Sequence, residues 1–191
     1  MPQVPKFADL HGLKGAIISA VDLVRGVGVL AGWTRIDVPG ATGYLDTDYA
    51  AKGQAATRAL ETYDIVCVHV EAPDEASHEG RADAKVRALE HIDREIVGPA
   101  RRALESFDCW RIVISPDHST LLRTRAHDRA PVAWAMAGTG LPGSGKVYDE
   151  CAAAERGSPF FEQGYRLMAR FLDLGWDGTS AAGHAGSSSG T

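Results

Sequence analysis

Short apolar runs rich in β-branched residues alternate with longer amphipathic stretches along most of the chain. This alternation is typical of βα units that feed a largely parallel sheet, so the pattern predicts an α/β fold with helices flanking the sheet. Four strands are predicted before an edge-like fifth one that a proline begins, because proline cannot donate to a ladder. The five predicted strands are Gly15–Ser19, Thr34–Val38, Asp64–Val70, Trp110–Ser115 and Pro131–Ala137.

The stretches between these strands carry apolar residues at helical spacing. They predict helices over 20–31, 47–62, 81–106 and 159–174. Asp46 or Thr47 is the expected N-cap of the second helix, and Gly98-Pro99 is expected to bend the third. The last helix is expected to bury one mainly aromatic face, formed by Phe160, Phe161, Tyr165, Met168, Phe171 and Leu172.

Periodicity ends near residue 174, and the chain becomes rich in glycine, serine and alanine. Such a segment cannot bury enough apolar surface to offset the entropy of ordering, so residues 175–191 are predicted to form a disordered tail. Residues 1–174 are then expected to form one domain, since 191 residues with 45% hydrophobic content suffice for a single core.

Charge and cysteine content narrow the classes of function. The net charge of -5 supplies no positive field for gathering nucleic acid or an anionic membrane surface. Three cysteines without a CxxC pair indicate neither a disulfide framework nor a thiolate zinc site. No signal peptide and no apolar run of membrane-spanning length is evident. We therefore expect a cytoplasmic protein.

Aspartate and histidine side chains gather where predicted strands end. Asp74 and His78 follow the third strand, Asp117 and His118 follow the fourth, and His127 lies in the next polar loop. Ligands of open α/β sheets bind at this edge. Carboxylates and imidazoles without thiolates suit catalytic manganese, zinc or magnesium.

Each motif also has a simpler interpretation. The Asp74–His78 pair could cap a helix or face solvent, Asp117 could be an N-cap, and His127 alone is typical of a surface histidine. Their shared position at one expected edge of the sheet favours a metal site.

Several longer stretches, in order, resemble the archaeal-type cofactor-independent phosphoglycerate mutases of the alkaline phosphatase superfamily. They are GAIISAVDLVRGVG, PGATGYLDTDYAAK, VHVEAPDEASHEG, PDHST and HDRAPV. The resemblance covers roughly residues 6 to 174. It departs from the family at Ser77, where glycine is usual, and at Ala133, where a second proline is usual.

The resemblance implies that the chain is the C-terminal part of such an enzyme, with a partial alkaline-phosphatase-like domain that lacks its N-terminal strand or strands. It implies two divalent metal ions, with manganese first and magnesium or zinc as alternatives. Asp74, His78 and His127 would hold one ion, while Asp117 and His118 would help to hold the other. Lys52 would contact the phosphate or carboxylate of the substrate.

The implied reaction is the glycolytic and gluconeogenic interconversion of 3-phosphoglycerate and 2-phosphoglycerate through a phosphoserine. The family's nucleophilic serine and a further metal-binding aspartate have no match in these 191 residues. We therefore expect the isolated chain to be inactive and a separate N-terminal half to be its partner. Two alternatives stay open, namely a non-catalytic metal-binding remnant and a metal-dependent phosphohydrolase of the same superfamily.

Overall fold

The computed structural model describes residues 4–172, which divide into two compact units. The first unit contains residues 4–110 and 118–131, and the second contains residues 111–117 and 132–172. Residues 175–191, predicted to be a disordered tail, lie outside the described residues. No helix in the part of the chain that the structure describes is long and apolar enough to cross a membrane.

The first unit contains most of the regular structure. Its elements are α1 (Phe7–His11), β1 (Gly15–Ile18), α2 (Asp22–Leu30), β2 (Thr34–Arg35), α3 (Tyr49–Ala59), β3 (Ile65–Val68), α4 (Ala72–His78), α5 (Ala82–Ile92), a π-helical segment (Asp93–Val97), α6 (Gly98–Leu104), β5 (Ser119–Leu121) and β6 (Ala126–Asp128). In the second unit lie β4 (Arg111–Ile114), β7 (Ala135–Gly138), α7 (Glu150–Ala154) and α8 (Arg166–Leu172).

A three-stranded parallel sheet in the order β2-β1-β3 lies at the centre of the first unit. All four residues of the middle strand β1 are buried, as expected of a strand covered on both faces. Ile18 packs with Ala55 and Ala56 of α3, whose small side chains let the helix approach the sheet. The predicted α/β class with a parallel sheet flanked by helices is confirmed.

Helix α3, the second of the helices predicted from the sequence, begins at Tyr49, later than predicted, because its N-cap is Asp48. Asp48 Oδ1 accepts a hydrogen bond from the backbone N–H of Ala51 at 2.8 Å. The predicted caps, Asp46 and Thr47, are wrong. Their side chains instead accept hydrogen bonds from Thr42 and so tie together the loop before α3.

The predicted helix over 81–106 is one continuous helical stretch with three parts. A π-helical segment separates α5 from α6 and ends where Gly98-Pro99 begins α6. Pro99 lacks the amide hydrogen that an α-helical bond there would need. The irregularity expected at Gly98-Pro99 is therefore present as a wider helical turn directly before it.

The second unit differs most from the prediction. The predicted fourth strand does not extend the parallel sheet, since Arg111–Ile114 pairs antiparallel with Ala135–Gly138. The predicted fifth strand is therefore its partner, and it begins at Ala135 rather than at Pro131. Strand pairing depends on residues distant in sequence, which periodicity does not encode.

The last helix begins later than predicted. Among the described residues α8 covers Arg166–Leu172, and the aromatic residues Phe160, Phe161 and Tyr165 precede it. Phe160 is 67% exposed and Tyr165 is 74% exposed. The predicted buried aromatic face is therefore wrong at these two residues.

Candidate metal centre

Helix α4 places Asp74 and His78 side by side. The polar segment after β3, predicted as a loop, forms this helix, so residues four apart share one face. Asp74 Oδ2 lies 3.1 Å from His78 Nε2. The unusual Ser77 is fully buried and donates to the backbone carbonyl of Pro73 at 2.7 Å, so the hydroxyl is accommodated within the helix.

A β-hairpin of strands β5 and β6 brings His127 to the same place. His127 Nε2 lies 3.1 Å from His78 Nε2 and 3.6 Å from Asp74 Oδ1. The predicted convergence of these three side chains is therefore present in the structure, although His127 lies on a strand rather than in a loop. That they bind a metal ion stays a prediction.

His118 directly precedes β5 and joins this group. The rings of His118 and His127 are 3.9 Å apart between centroids. Asp74, His118 and His127 each offer one ligand atom within 4.8 Å of the others. His118 thus lies beside the residues assigned to the first ion. Its neighbour Asp117 belongs to the second unit, and its assignment to a second ion stays a prediction.

The tautomer of His78 suits a metal ligand. His78 Nδ1 lies 2.9 Å from the backbone carbonyl of Arg125, and because a carbonyl only accepts, Nδ1 carries the proton. In the neutral ring Nε2 then presents a lone pair toward Asp74 and His127. Lone pairs and a carboxylate that face one another need a proton or a cation between them. A carbonyl that orients the far side of an imidazole is also a common support of metal-binding histidines.

Protonation of His78 competes with metal binding. The hydrogen bond to the Arg125 carbonyl raises the pKa of His78 above its ordinary value, and the carboxylates of Asp74 and Glu75 add to this, while burial opposes it. A divalent cation would have to displace that proton. The donor set assigned to the first ion, one carboxylate and two imidazoles without a thiolate, fits zinc or manganese.

Thr120 is a site residue that the sequence analysis missed. Its side chain is buried, its hydroxyl donates to Asp74 Oδ1, and Oγ1 lies 3.3 Å from His118 Nδ1. Thr120 is two residues after His118, and side chains two apart lie on the same face of a strand. That spacing within PDHST was the available signal.

Lys52 is fully buried on α3. Its ammonium lies 3.5 Å from the carbonyl of Thr42 and 3.4 Å from the carbonyl of His69. Burial lowers the pKa of Lys52, the charge of Arg25 lowers it further, and Glu71 opposes the shift. No surface of Lys52 is exposed, so its ammonium does not face solvent in this structure. The contact implied by the resemblance stays a prediction.

Comparison with known proteins now defines the class. Residues 1–157 match the family model described as Metalloenzyme superfamily. This match spans well over half of the chain. The chain therefore belongs to the Metalloenzyme superfamily.

Within that superfamily, the chain is similar to curated phosphoglycerate mutases. The chain is 49% identical over 163 residues to the 2,3-bisphosphoglycerate-independent phosphoglycerate mutase of Methanothrix thermoacetophila, an alignment that covers 84% of this chain and 42% of the relative. It is 48% identical over 173 residues to mutase 2 of Methanothermobacter thermautotrophicus, covering 90% of this chain and 42% of the relative. The resemblance to archaeal-type mutases is confirmed, and the chain spans less than half the length of these relatives.

Solved structures agree on the fold. A protein from Pyrococcus horikoshii superposes with a TM-score of 0.72 at 32% identity, covering 78% of this chain and 45% of that one. A cofactor-independent phosphoglycerate mutase from Thermoplasma acidophilum superposes with a TM-score of 0.65 at 23% identity, covering 90% of this chain and 39% of that one.

Proposed function

We propose that this chain is the metal-binding part of a cofactor-independent phosphoglycerate mutase, which interconverts 3-phosphoglycerate and 2-phosphoglycerate. The observation that carries the proposal is the convergence of Asp74, His78 and His127, with His78 oriented by a backbone carbonyl. It occurs in a chain nearly half identical to relatives that bear this name.

In the proposed site, Asp74, His78 and His127 hold one divalent cation, and Asp117 and His118 contribute to a second. Two bound cations would supply positive charge for a phosphoryl group and for the oxygens that attack and leave. Thr120 holds Asp74 in place through its hydroxyl. The Arg125 carbonyl holds His78 in the tautomer that leaves Nε2 free of a proton.

The phosphoryl group passes from the 3-position of glycerate to a serine, and from that serine to the 2-position after glycerate has reoriented. We place the serine outside these 191 residues, as the family resemblance implies. Ser19, Ser77 and Ser115 are buried or already hydrogen-bonded in the structure. Ser19 is 2% exposed, Ser77 is fully buried, and Ser115 donates to the carbonyl of Pro116 at 2.8 Å.

Complementation tests this proposal. The purified chain is assayed with 3-phosphoglycerate and Mn²⁺, alone and after mixing with the separately expressed remainder of the Methanothrix mutase. We expect no turnover by the chain alone and formation of 2-phosphoglycerate on mixing. The chain carrying Asp74→Asn is the matched control and should not complement.

Other outcomes distinguish the alternatives. Robust mutase turnover by the chain alone would contradict a nucleophile outside it. Release of inorganic phosphate without isomerisation would favour a phosphohydrolase. Association of the two pieces without any turnover would favour a non-catalytic remnant.

A further inference from the structure

A network of hydrogen-bonded polar side chains, here called the polar network, connects the sheet to the proposed metal ligand Asp74. It consists of Ser19 at the end of β1, His69 at the end of β3 and Glu71 at the start of α4. We infer that Ser19, His69 and Glu71 are positioning residues that fix Asp74 for cation binding. This inference rests on the proposed role of Asp74.

His69 is held on both sides of its ring. Its Nδ1 lies 3.2 Å from Ser19 Oγ, and its Nε2 lies 3.2 Å from Glu71 Oε2. A carboxylate only accepts hydrogen bonds, so Nε2 carries the proton and donates to Glu71. The neutral ring then accepts at Nδ1 from the Ser19 hydroxyl. Ser19 Oγ also accepts from the backbone N–H of Val21 at 3.0 Å, which directs its own hydrogen toward His69.

The backbone anchors this unit to the sheet. The N–H of His69 donates to the carbonyl of Ile18 at 2.8 Å, next to Ser19. Ser19 is 2% exposed, and the side chains of His69 and Glu71 are 18% and 27% exposed. The imidazole therefore bridges a rigid strand end and the carboxylate of Glu71.

Glu71, whose side chain is fixed by His69, in turn binds the backbone of Asp74. Helix α4 has Glu71 as its N-cap, without a hydrogen bond from a capping side chain to the helix amides. The carbonyl of Glu71 accepts instead from the N–H of Asp74 at 2.8 Å and from the N–H of Glu75 at 3.2 Å. The side chain of Glu71, free from capping, is bound to His69. Hydrogen bonds to the side chain and to the backbone of Glu71 thus connect Ser19 with the backbone of Asp74 through this one residue.

If replacing Glu71 weakens cation binding, two explanations of the weaker binding can be separated. A carboxylate oxygen of Glu71 lies within 4.8 Å of one from Asp74, so Glu71 could assist a cation by charge alone. Glutamine at position 71 removes the charge but keeps an oxygen that accepts from His69 Nε2. Replacement of His69 by phenylalanine keeps the ring but removes both nitrogens, and it leaves the charge of Glu71 unchanged.

The experiment measures Mn²⁺ affinity of the full chain by electron paramagnetic resonance of free Mn²⁺. Far-UV circular dichroism and thermal unfolding confirm that each variant is folded at the titration temperature. We expect His69→Phe and Glu71→Ala each to weaken binding about tenfold, as is usual for residues that orient metal ligands. Glu71→Gln and the control His91→Phe should stay within about twofold of wild type, and the double variant His69→Phe/Glu71→Ala should be no weaker than either single one.

The control is matched because His91 is also a partly buried histidine of the first unit. It stacks on Tyr49 and does not belong to the polar network of Ser19, His69 and Glu71. If Glu71→Gln binds as weakly as Glu71→Ala, charge alone explains the loss and the inference is wrong. It is also wrong if His69→Phe and Glu71→Ala both bind as wild type does while Asp74→Asn loses Mn²⁺. Should Asp74→Asn bind as tightly as wild type, the metal assignment itself fails and this inference fails with it. If His69→Phe does not fold, the comparison of the two Glu71 variants decides.

Discussion

Gly53 lies in α3, next to Lys52, where this helix crosses the π-helical segment. A Cβ atom added at Gly53 would lie 1.9 Å from the backbone carbonyl oxygen of Glu95 and 3.2 Å from Cα of Ile96. Contacts below 3.0 Å are essentially absent for real Cβ atoms, and here the obstacle is backbone. Gly53→Ala should therefore force α3 away from its neighbour.

The expected change in the free energy of unfolding of Gly53→Ala combines two opposing effects. Alanine favours a helix over glycine by about 1 kcal/mol. Overpacking of a tight contact costs about 1–3 kcal/mol, occasionally more, and a backbone contact cannot relax by a change of rotamer. Because the obstacle is backbone, the upper part of that range applies, about 2–3 kcal/mol. Gly53→Ala should therefore lower the free energy of unfolding by about 1–2 kcal/mol after the helix gain is subtracted.

Gly26 provides the matched control. It lies in α2, and nothing is within 4 Å of a Cβ added there. Gly26→Ala should therefore stabilise by about 0.5–1 kcal/mol. Thermal unfolding followed by circular dichroism at 222 nm should show opposite shifts of Tm, each about 2–4 °C per kcal/mol. Equal increases of Tm in both variants would refute the close packing of α3.

Two further predictions concern the site and its surroundings. Burial, aided by the charge of Arg25, lowers the pKa of Lys52 in the folded protein from its ordinary value of 10.5. Between the folded and the unfolded pKa the unfolded chain therefore binds more protons than the folded one. The free energy of unfolding should consequently rise as pH approaches 10.5. The urea midpoint of wild type relative to Lys52→Met should thus increase from neutral to alkaline pH, and a constant difference would contradict this. Thr120→Val should weaken Mn²⁺ binding about tenfold, whereas Thr120→Ser, which keeps the hydroxyl, should resemble wild type in the same titration. Equal affinities of the two variants would exclude a role of this hydroxyl.

The four-residue spacing of Asp74 and His78 predicted that they converge, although their segment was predicted as a loop and forms helix α4. Asp74 and His78 are four residues apart, and a helical turn there sufficed to bring them together. The strand before them was also predicted, because its apolar run is nearly continuous and ends abruptly at polar residues.

Features that depend on distant contacts were not predictable in this way. The antiparallel pairing of Arg111–Ile114 with Ala135–Gly138 is set by the partner strand, not by the pattern of either strand. The burial of Lys52 depends on the loop at Thr42 and the end of β3. Phe161 and Tyr165 are four residues apart, as on one face of a helix, but both precede the start of α8 at Arg166.

The central claim is that Asp74, His78 and His127 bind a divalent cation. The most direct test is a crystal structure of the chain grown with Mn²⁺, with anomalous diffraction data that locate manganese. We expect a strong anomalous peak about 2.0–2.3 Å from ligand atoms of all three side chains. A second peak beside Asp117 and His118, about 3.5–4 Å from the first, would support the two-metal proposal. Strong manganese peaks elsewhere, with none beside Asp74, would show that these three side chains do not bind the cation.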